Sequence, residues 1–412
     1  MKRACFLLVL VLSACLDEGK ADLGDSTTFV RYFNGGFDDE AVTVAETGDA
    51  GFLILANSQL EDGRNKIKLI KTDALGNKIW AKVYPEFTTN KADILLNRKG
   101  NGLLLTSDGG YVVVGEDIDA GKEQLYILVL DSDGNLISEE TFPAIYSVRG
   151  IAISENSGND QSYVVLGNIP GSNNQNMVTA EIEKSTLSIS WTRTYGSGEA
   201  SNLVNKLFLD SQDKLIWGGT VTRQNKSDVR LVRSIQDSQN TDFDLPIGDP
   251  NFNEIGADIC RFGFGYAVTG NTDQTTSGER EIALQRLGED GTVLFKTTFP
   301  ITTTFNGEEV PVIGNKIGNA ITTTQDGGLF LAGTVPSNSE INFGSGQSDY
   351  YLIKTNGFGT VMWRKSIGSR DADRSVAVLQ AKDGGLVLLG NTTLADLKTI
   401  LLMKMDPNGN IE

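Results

Sequence analysis

The chain contains no histidine. That removes imidazole acid–base chemistry, His-dependent nucleophile triads and histidine metal sites. Basic residues are in deficit, 36 Lys and Arg against 53 Asp and Glu, for a formal net charge of -17. A nucleic-acid binder needs a basic footprint, so no nucleic-acid partner is expected. Proline is scarce, at 9 residues, and cysteine scarcer, at 3. The long apolar run at residues 4–12 is too short to span a bilayer as a permanent helix. What the chain has in quantity is glycine, 46 residues, within a composition that is 39% hydrophobic. That is globular rather than disordered, and 412 residues suffice for two or three domains or one large repeat array.

The N-terminus reads as an address. Lys2 and Arg3 precede the apolar run, and Leu12, Ser13, Ala14 and Cys15 follow in the order of a lipobox. The segment resembles a bacterial lipoprotein signal. The resemblance implies a signal peptide over residues 1–14, acylation of Cys15, a tether over 15–26, and an anchor in the outer membrane. Asp17 and Glu18, just behind the cysteine, resemble the surface-export signal of Bacteroidota lipoproteins, which implies that the protein faces the cell surface. An ordinary secretory signal that contains a cysteine is the alternative. Two or three acyl chains suffice for stable anchoring. Cys5 leaves with the signal and Cys15 carries lipid, so Cys260 stands alone and no internal disulfide is expected. Cys260 follows Ile259 at the start of a strand and reads as a small core residue.

Self-similarity runs through residues 27–412. Apolar strands recur at 51–57, 110–115, 162–167, 214–219, 265–270, 328–333 and 385–390. Gly51 and Gly385 lie six steps apart, a mean period of about 56 residues. Turns such as Asp108-Gly109-Gly110 and Asp383-Gly384-Gly385 precede these strands. A third strand follows, then a second turn type with Asp131, Gly134 and Asn135, or Asp406, Gly409 and Asn410. Gly and Asn supply the positive φ that such turns need. A fourth strand opens on an aromatic residue, as at Trp80, Trp191, Phe295 and Trp363. It alternates bulky and polar residues, as an outer, half-exposed strand does. The seventh fourth strand is missing at the C-terminus, and a matching strand, from Phe29 to Phe33, stands at the N-terminus. A displaced strand of this kind predicts a closed ring whose two ends pair.

These turns, and the Trp-x-Lys/Arg-x-Tyr pattern seen at Trp80, Lys82 and Tyr84, resemble β-propeller repeats of lipid-anchored Bacteroidota proteins. The expected fold is therefore all-β: a seven-bladed β-propeller of four-stranded blades, the last blade closed by the N-terminal strand. Weak turns in the fourth repeat leave six or eight blades as alternatives.

Links between strands two and three, and between blades, read as long and variable, with insertions at 300–316 and 335–349. Their face is expected to be functional. Aligning the residues that enter each first strand places Asp39, Asp93, Arg149, Asn202, Asp258, Asn319 and Arg374 around the channel mouth as ligand or partner contacts. Phe305, Ile341 and Phe343 stand in otherwise polar insertions and are expected either to anchor a partner or to pack on the blade. Asp131, Asp133 and Asn135 open like a calcium loop, but Phe142 occupies the twelfth position, where an acid is needed, so a plain turn is expected. No cofactor and no metal are expected. The functional expectation is a non-catalytic binding or scaffold module, an accessory subunit of an outer-membrane complex. Its partner would be an outer-membrane protein or an extracellular glycan or peptide. The alternative is a glycan-binding protein or a His-independent carboxylate glycosidase.

Overall fold

The structure is a computed structural model. It describes residues 27–85, 96–119, 121–142, 148–156, 159–169, 176–195, 201–209, 214–223, 225–234, 241–249, 251–275 and 278–411. The signal, Cys15, the tether and Asp93 lie outside the described residues.

Seven four-stranded antiparallel sheets account for nearly all the described chain. Blade 1 comprises β2 (Asp38–Glu46), β3 (Phe52–Gln59), β4 (Asn65–Thr72) and β5 (Lys78–Tyr84). Blade 2 comprises β6 (Arg98–Leu105), β7 (Tyr111–Asp119), β8 (Lys122–Leu130) and β9 (Leu136–Phe142). Blade 3 comprises β10 (Arg149–Glu155), β11 (Ser162–Ile169), β12 (Asn176–Glu183) and β13 (Ile189–Tyr195). Blade 4 comprises β14 (Ser201–Leu209), β15 (Leu215–Arg223), β16 (Lys226–Ser234) and β17 (Thr241–Ile247). Blade 5 comprises β18 (Glu254–Phe262), β19 (Gly265–Thr272), β20 (Glu281–Leu287) and β21 (Val293–Thr298). A two-stranded hairpin, β22 (Thr302–Phe305) and β23 (Glu308–Pro311), precedes blade 6: β24 (Ile317–Thr323), β25 (Leu329–Asn338), β26 (Phe343–Thr355) and β27 (Val361–Ile367). Blade 7 comprises β28 (Arg374–Gln380), β29 (Leu386–Leu394), β30 (Leu397–Met405) and β1 (Phe29–Phe33).

β1 pairs antiparallel with β30, from Phe29 opposite Lys404 to Phe33 opposite Ile400. The two ends of the chain therefore share one sheet. First strands pack on one another around the ring and return to the start, β28 against β2. This is the closed seven-bladed propeller that the repeat and its displaced strand predict.

The buried apolar residues form seven clusters, one at each blade interface. Each includes a residue from the middle of a first strand: Val44, Leu103, Ile153, Leu207, Ile259, Ile321 and Val378. Second and third strands are covered on both faces, which is why they read as apolar runs, whereas an outer strand such as β27 alternates exposure. Trp217 is buried in this packing, between Tyr195 and Leu207 of the interface. Cys260 packs against the blade 5–6 cluster, as expected of a small core residue.

Two turn motifs are explained by their side chains. In three blades the first-turn aspartate pairs with a third-strand lysine: Asp49 with Lys71 at 2.8 Å, Asp326 with Lys354 at 2.8 Å, and Asp383 with Lys404 at 2.6 Å. In the second turn, the Asp131 carboxylate accepts from the Asp133 and Asn135 backbone N–H groups and from the Asn135 amide. Asp73 and Asp406 repeat the pattern on Leu75 with Asn77 and on Asn408 with Asn410. The carboxylate is consumed by its own turn, so Asp131 serves a hairpin, as expected.

Much of what reads as long loop is hairpin. The segment 335–349 continues β25 and β26 around the short 3-10 turn Ser339–Ile341. The segment 221–228 is the tip of β15 and β16. Their Ser, Thr and Asn residues lack the apolar alternation of a core strand because much of each ribbon is exposed or half-exposed, with Val221, Val335 and Phe343 as the buried anchors. Phe343 is buried and Ile341 packs beside it, in a cluster with Phe299, Ile301, Val312 and Val335. This cluster glues the insertion at 300–316 onto blades 5 and 6. Phe343 is therefore a packing residue, the second of its two expected roles, while Phe305 stays half-buried on the β22 hairpin.

Candidate binding mouth

Each first strand carries a β-bulge at the same place. The register shifts at Ala41/Thr43, Gly100/Gly102, Gly150/Ala152, Val204/Lys206, Gly256/Asp258, Gly318/Ala320 and Ser375/Ala377. A bulge leaves backbone groups without ladder partners. At four of the bulges a residue in the second half of the preceding blade's second strand takes them up. Asn57 donates to the Gly100 carbonyl at 3.0 Å and accepts the Gly100 N–H at 2.8 Å. The Thr220 hydroxyl bonds Gly256 O and N at 3.2 Å. Thr334 accepts the Ser375 N–H, and Asn391 the Ala41 N–H. These clasps tie neighbouring blades at the channel wall.

In blades 1, 2, 5, 6 and 7 the bulge residue and the residue two positions earlier both contribute to one cavity of about 660 Å³ at the mouth, and in blade 3 the earlier residue does. That volume lies within the range of small-ligand sites, about 300–1,000 Å³. The deeper tier includes Val42, Asn101, Ala257, Asn319 and Val376. The outer tier consists of Glu40, Lys99 and Arg149 in blades 1 to 3, Ile255 and Ile317 in blades 5 and 6, and Arg374 in blade 7. Leu203 holds the same register position in blade 4. The described rim is thus divided: charged residues on blades 7, 1, 2 and 3, apolar residues on blades 5 and 6.

This register corrects the expected ring. Arg149, Asn319 and Arg374 do line the cavity. Asp39 does not: it is fully buried and binds Lys68, Ser58 and the Gly35 N–H. Asp258 lies one residue past the bulge, below the cavity, where it meets Lys206 at 2.9 Å and the Ile321 N–H at 2.9 Å. Asn202 lies three residues before its bulge in β14, and its side chain is outside the described residues. An extra residue reverses strand parity, so an alignment that passes over the bulge assigns some residues to the wrong side. Sequence reasoning missed Glu40, Lys99, Asn101, Ile255 and Ile317 for this reason. Reading the residues that flank Gly100 and those just before Ala41, Gly256 and Gly318 would have found them.

The charges of the mouth are mostly spoken for. Glu116 bonds Arg149 at 2.8 Å, and Glu123 reaches the same guanidinium at 2.6 Å. Burial pushes the Glu116 carboxyl up, against the pull of Arg149. Burial disfavours the Arg149 cation, but its bonds to Glu123 and Glu116 outweigh this and raise its pKa. Asp38 accepts the Lys398 N–H, and Glu40 stands 3.9 Å from Arg374. Lys99 makes no ion pair among the described residues. No aromatic side chain among the described residues lines the cavity. Among the described residues no cluster of three or more acids or cysteines is arranged to hold a metal ion, and no helix is long and apolar enough to cross a membrane.

No protein-family model and no curated protein matches the sequence. Solved structures match by fold. The polysaccharide lyase Uly1 aligns with a TM-score of 0.51 at 11% identity over 91% of each chain. The propeller of Dos1 aligns with a TM-score of 0.50 at 9% identity, over 92% of this chain and 95% of that one. Puromycin hydrolase aligns at 12% identity with a TM-score of 0.47; this chain spans 52% of its length. At such identities the likeness is one of architecture, and a propeller hosts many chemistries.

Proposed function

We propose that this propeller is a non-catalytic binding or scaffold module. It is held at the outer membrane by lipid on Cys15, faces the cell surface, and serves as an accessory subunit that receives its ligand or partner at the channel mouth. The observation that carries the reading is the divided rim, charged on one side and apolar on the other, around a cavity in which the described carboxylates Asp38 and Glu116 already accept hydrogen bonds from neighbouring groups. A carboxylate-pair glycosidase requires one acid free to protonate and a second free to attack. Glu116 has the raised pKa of such an acid, but Arg149 holds it. A glycan-binding platform would be supported by aromatic faces, and none lines the mouth among the described residues.

The test is affinity purification of the full-length protein from membranes in mild detergent, with Cys15→Ser in parallel. The reading expects a stoichiometric outer-membrane partner, and loss of the acyl mass and of membrane retention in the variant. Recovery of the protein alone, or unchanged membrane retention of Cys15→Ser, counts against it.

A further inference from the structure

We propose that the mouth binds the carboxylate end of a short peptide whose terminal side chain is aliphatic, Lys99 holding the carboxylate and Ile255 with Ile317 seating the side chain. This rests on the reading of the chain as a binding module and names the ligand class of the same cavity.

Lys99 and Lys398 line the cavity without an ion-pair partner among the described residues; Lys99 is the one on the rim strands, while Lys398 is exposed at the start of β30. Arg374 is 65% exposed, and its one carboxylate neighbour, Glu40, is half exposed and 3.9 Å away. Arg149, by contrast, is held by two carboxylates. A cation facing a cavity in a chain of net charge -17 invites an anion, and a carboxylate with charge-assisted hydrogen bonds is the economical answer. Across the opening, Ile317 is 43% exposed, and Ile255 lines the same wall. An exposed isoleucine inside a concave site gains by covering, about 25 cal/mol per Å² of apolar surface removed from water.

Two asparagines of the deeper tier have complementary free atoms. Asn101 donates through Nδ2 to the Gly150 carbonyl at 2.9 Å, which leaves Oδ1 as an acceptor. Asn319 accepts the Thr334 and Ser375 hydroxyls through Oδ1, each at 2.9 Å, which leaves Nδ2 as a donor. One acceptor and one donor match the N–H and C=O of a peptide unit. A sugar acid would satisfy Lys99 and the amides but would leave the two isoleucines with nothing apolar to cover them.

Calorimetric titration of the full chain with N-acetyl-Ala-Ala-Leu as the free acid, as its carboxamide, and with trigalacturonate tests the assignment. The free acid is expected to bind, the carboxamide at least tenfold more weakly, and trigalacturonate more weakly still. Lys99→Gln should weaken the free acid about tenfold and Ile317→Asn severalfold, with melting temperatures unchanged. Lys99→Arg should restore binding where Lys99→Gln loses it. Equal affinity for acid and carboxamide, indifference to Lys99→Gln, or tighter binding of trigalacturonate overturns the proposal. If no peptide binds but a membrane partner is still captured by Lys99→Gln, the ligand class is wrong and the module reading stands. If neither a ligand nor a partner is found, both fall.

Discussion

Trp363, the third residue of the outer strand of blade 6, lies over Gly409 in the second turn of blade 7, where a Cβ would fall 2.8 Å from the ring. Its indole N–H donates to the Pro407 carbonyl at 3.2 Å, and Lys365, two residues on, donates to the Gly409 carbonyl at 2.6 Å. The same rivet recurs from blade to blade: Trp80 covers Gly134, Phe295 covers Gly359, and Phe29 covers Gly76. Lys82 bonds Asn135 as Lys365 bonds Asn410, and Arg31 bonds Asn77. The Trp-x-Lys motif and the glycine turn are thus two halves of one inter-blade contact. The contact that closes the ring, Phe29 on Gly76, is built like the others.

Gly409→Ala meets two costs, a φ of 76° that β-carbons resist and the Trp363 ring. Together these amount to about 2–4 kcal/mol. Differential scanning calorimetry is expected to show a lowered melting temperature, with Gly134→Ala behaving alike at Trp80. Gly63→Ala also sits at positive φ but meets nothing within 4 Å, so it isolates the backbone share and should cost less.

Phe29 is 4% exposed and sits at the seam. Phe29→Ala should cost about 3–4 kcal/mol, the range for a buried aromatic. Removal of residues 27–33 exposes the β30 edge, and light scattering should then report self-association. A truncated chain that stays monomeric and as stable as the parent would contradict closure by this strand.

Asp39 and Lys68 form a buried pair. Asp39→Ala leaves an uncompensated lysine and should cost about 3–5 kcal/mol. Because Asp39 lies outside the mouth, peptide affinity of the surviving folded fraction should not change. Urea titration with parallel calorimetry separates the two effects.

Partial burial disfavours the Asp49 carboxylate, but bonds from Lys71, Thr47 and the Gly51 N–H outweigh it and hold the pKa at about 2, below 3.8. The folded pKa is the lower one, so the stabilisation is complete above the unfolded value and is lost as pH falls from about 3.8 to about 2. Solvent screens this exposed carboxylate, so the contribution is under about 1 kcal/mol. Asp49→Asn should therefore differ from the parent at pH 6 and converge with it near pH 2 in thermal melts.

Burial pushes the Cys260 thiol up to about 12, with Asp258 adding to the effect. In a Cys5→Ser, Cys15→Ser background, iodoacetamide at pH 8 should leave the native protein unmodified and label it once in urea. Mass spectrometry reads both states.

The architecture was legible in the sequence because it repeats. Seven copies average out local noise, and a missing strand at one end with a spare at the other has one economical solution. Cys260 as a packing residue and Asp131 as a turn residue were legible for a similar reason, since each is judged against its neighbours and its repeats. Lys71, Lys354 and Lys404 were not, because a lysine in a buried third strand reads as an exception until its turn aspartate is seen beside it.

Order along the chain, the period, the turn chemistry and the need to pair the two ends were determined by the amino acids alone, since each rests on contacts within a blade or between repeats of one kind. Which residues face the channel was decided only in three dimensions. The bulge in every first strand adds a residue that no periodicity announces, and it moves Asp39 into the wall and Asp258 below the cavity while bringing Lys99 and Ile317 to the rim. A period of two is so short that one inserted residue exchanges inside for outside, and only the backbone path records where that happens.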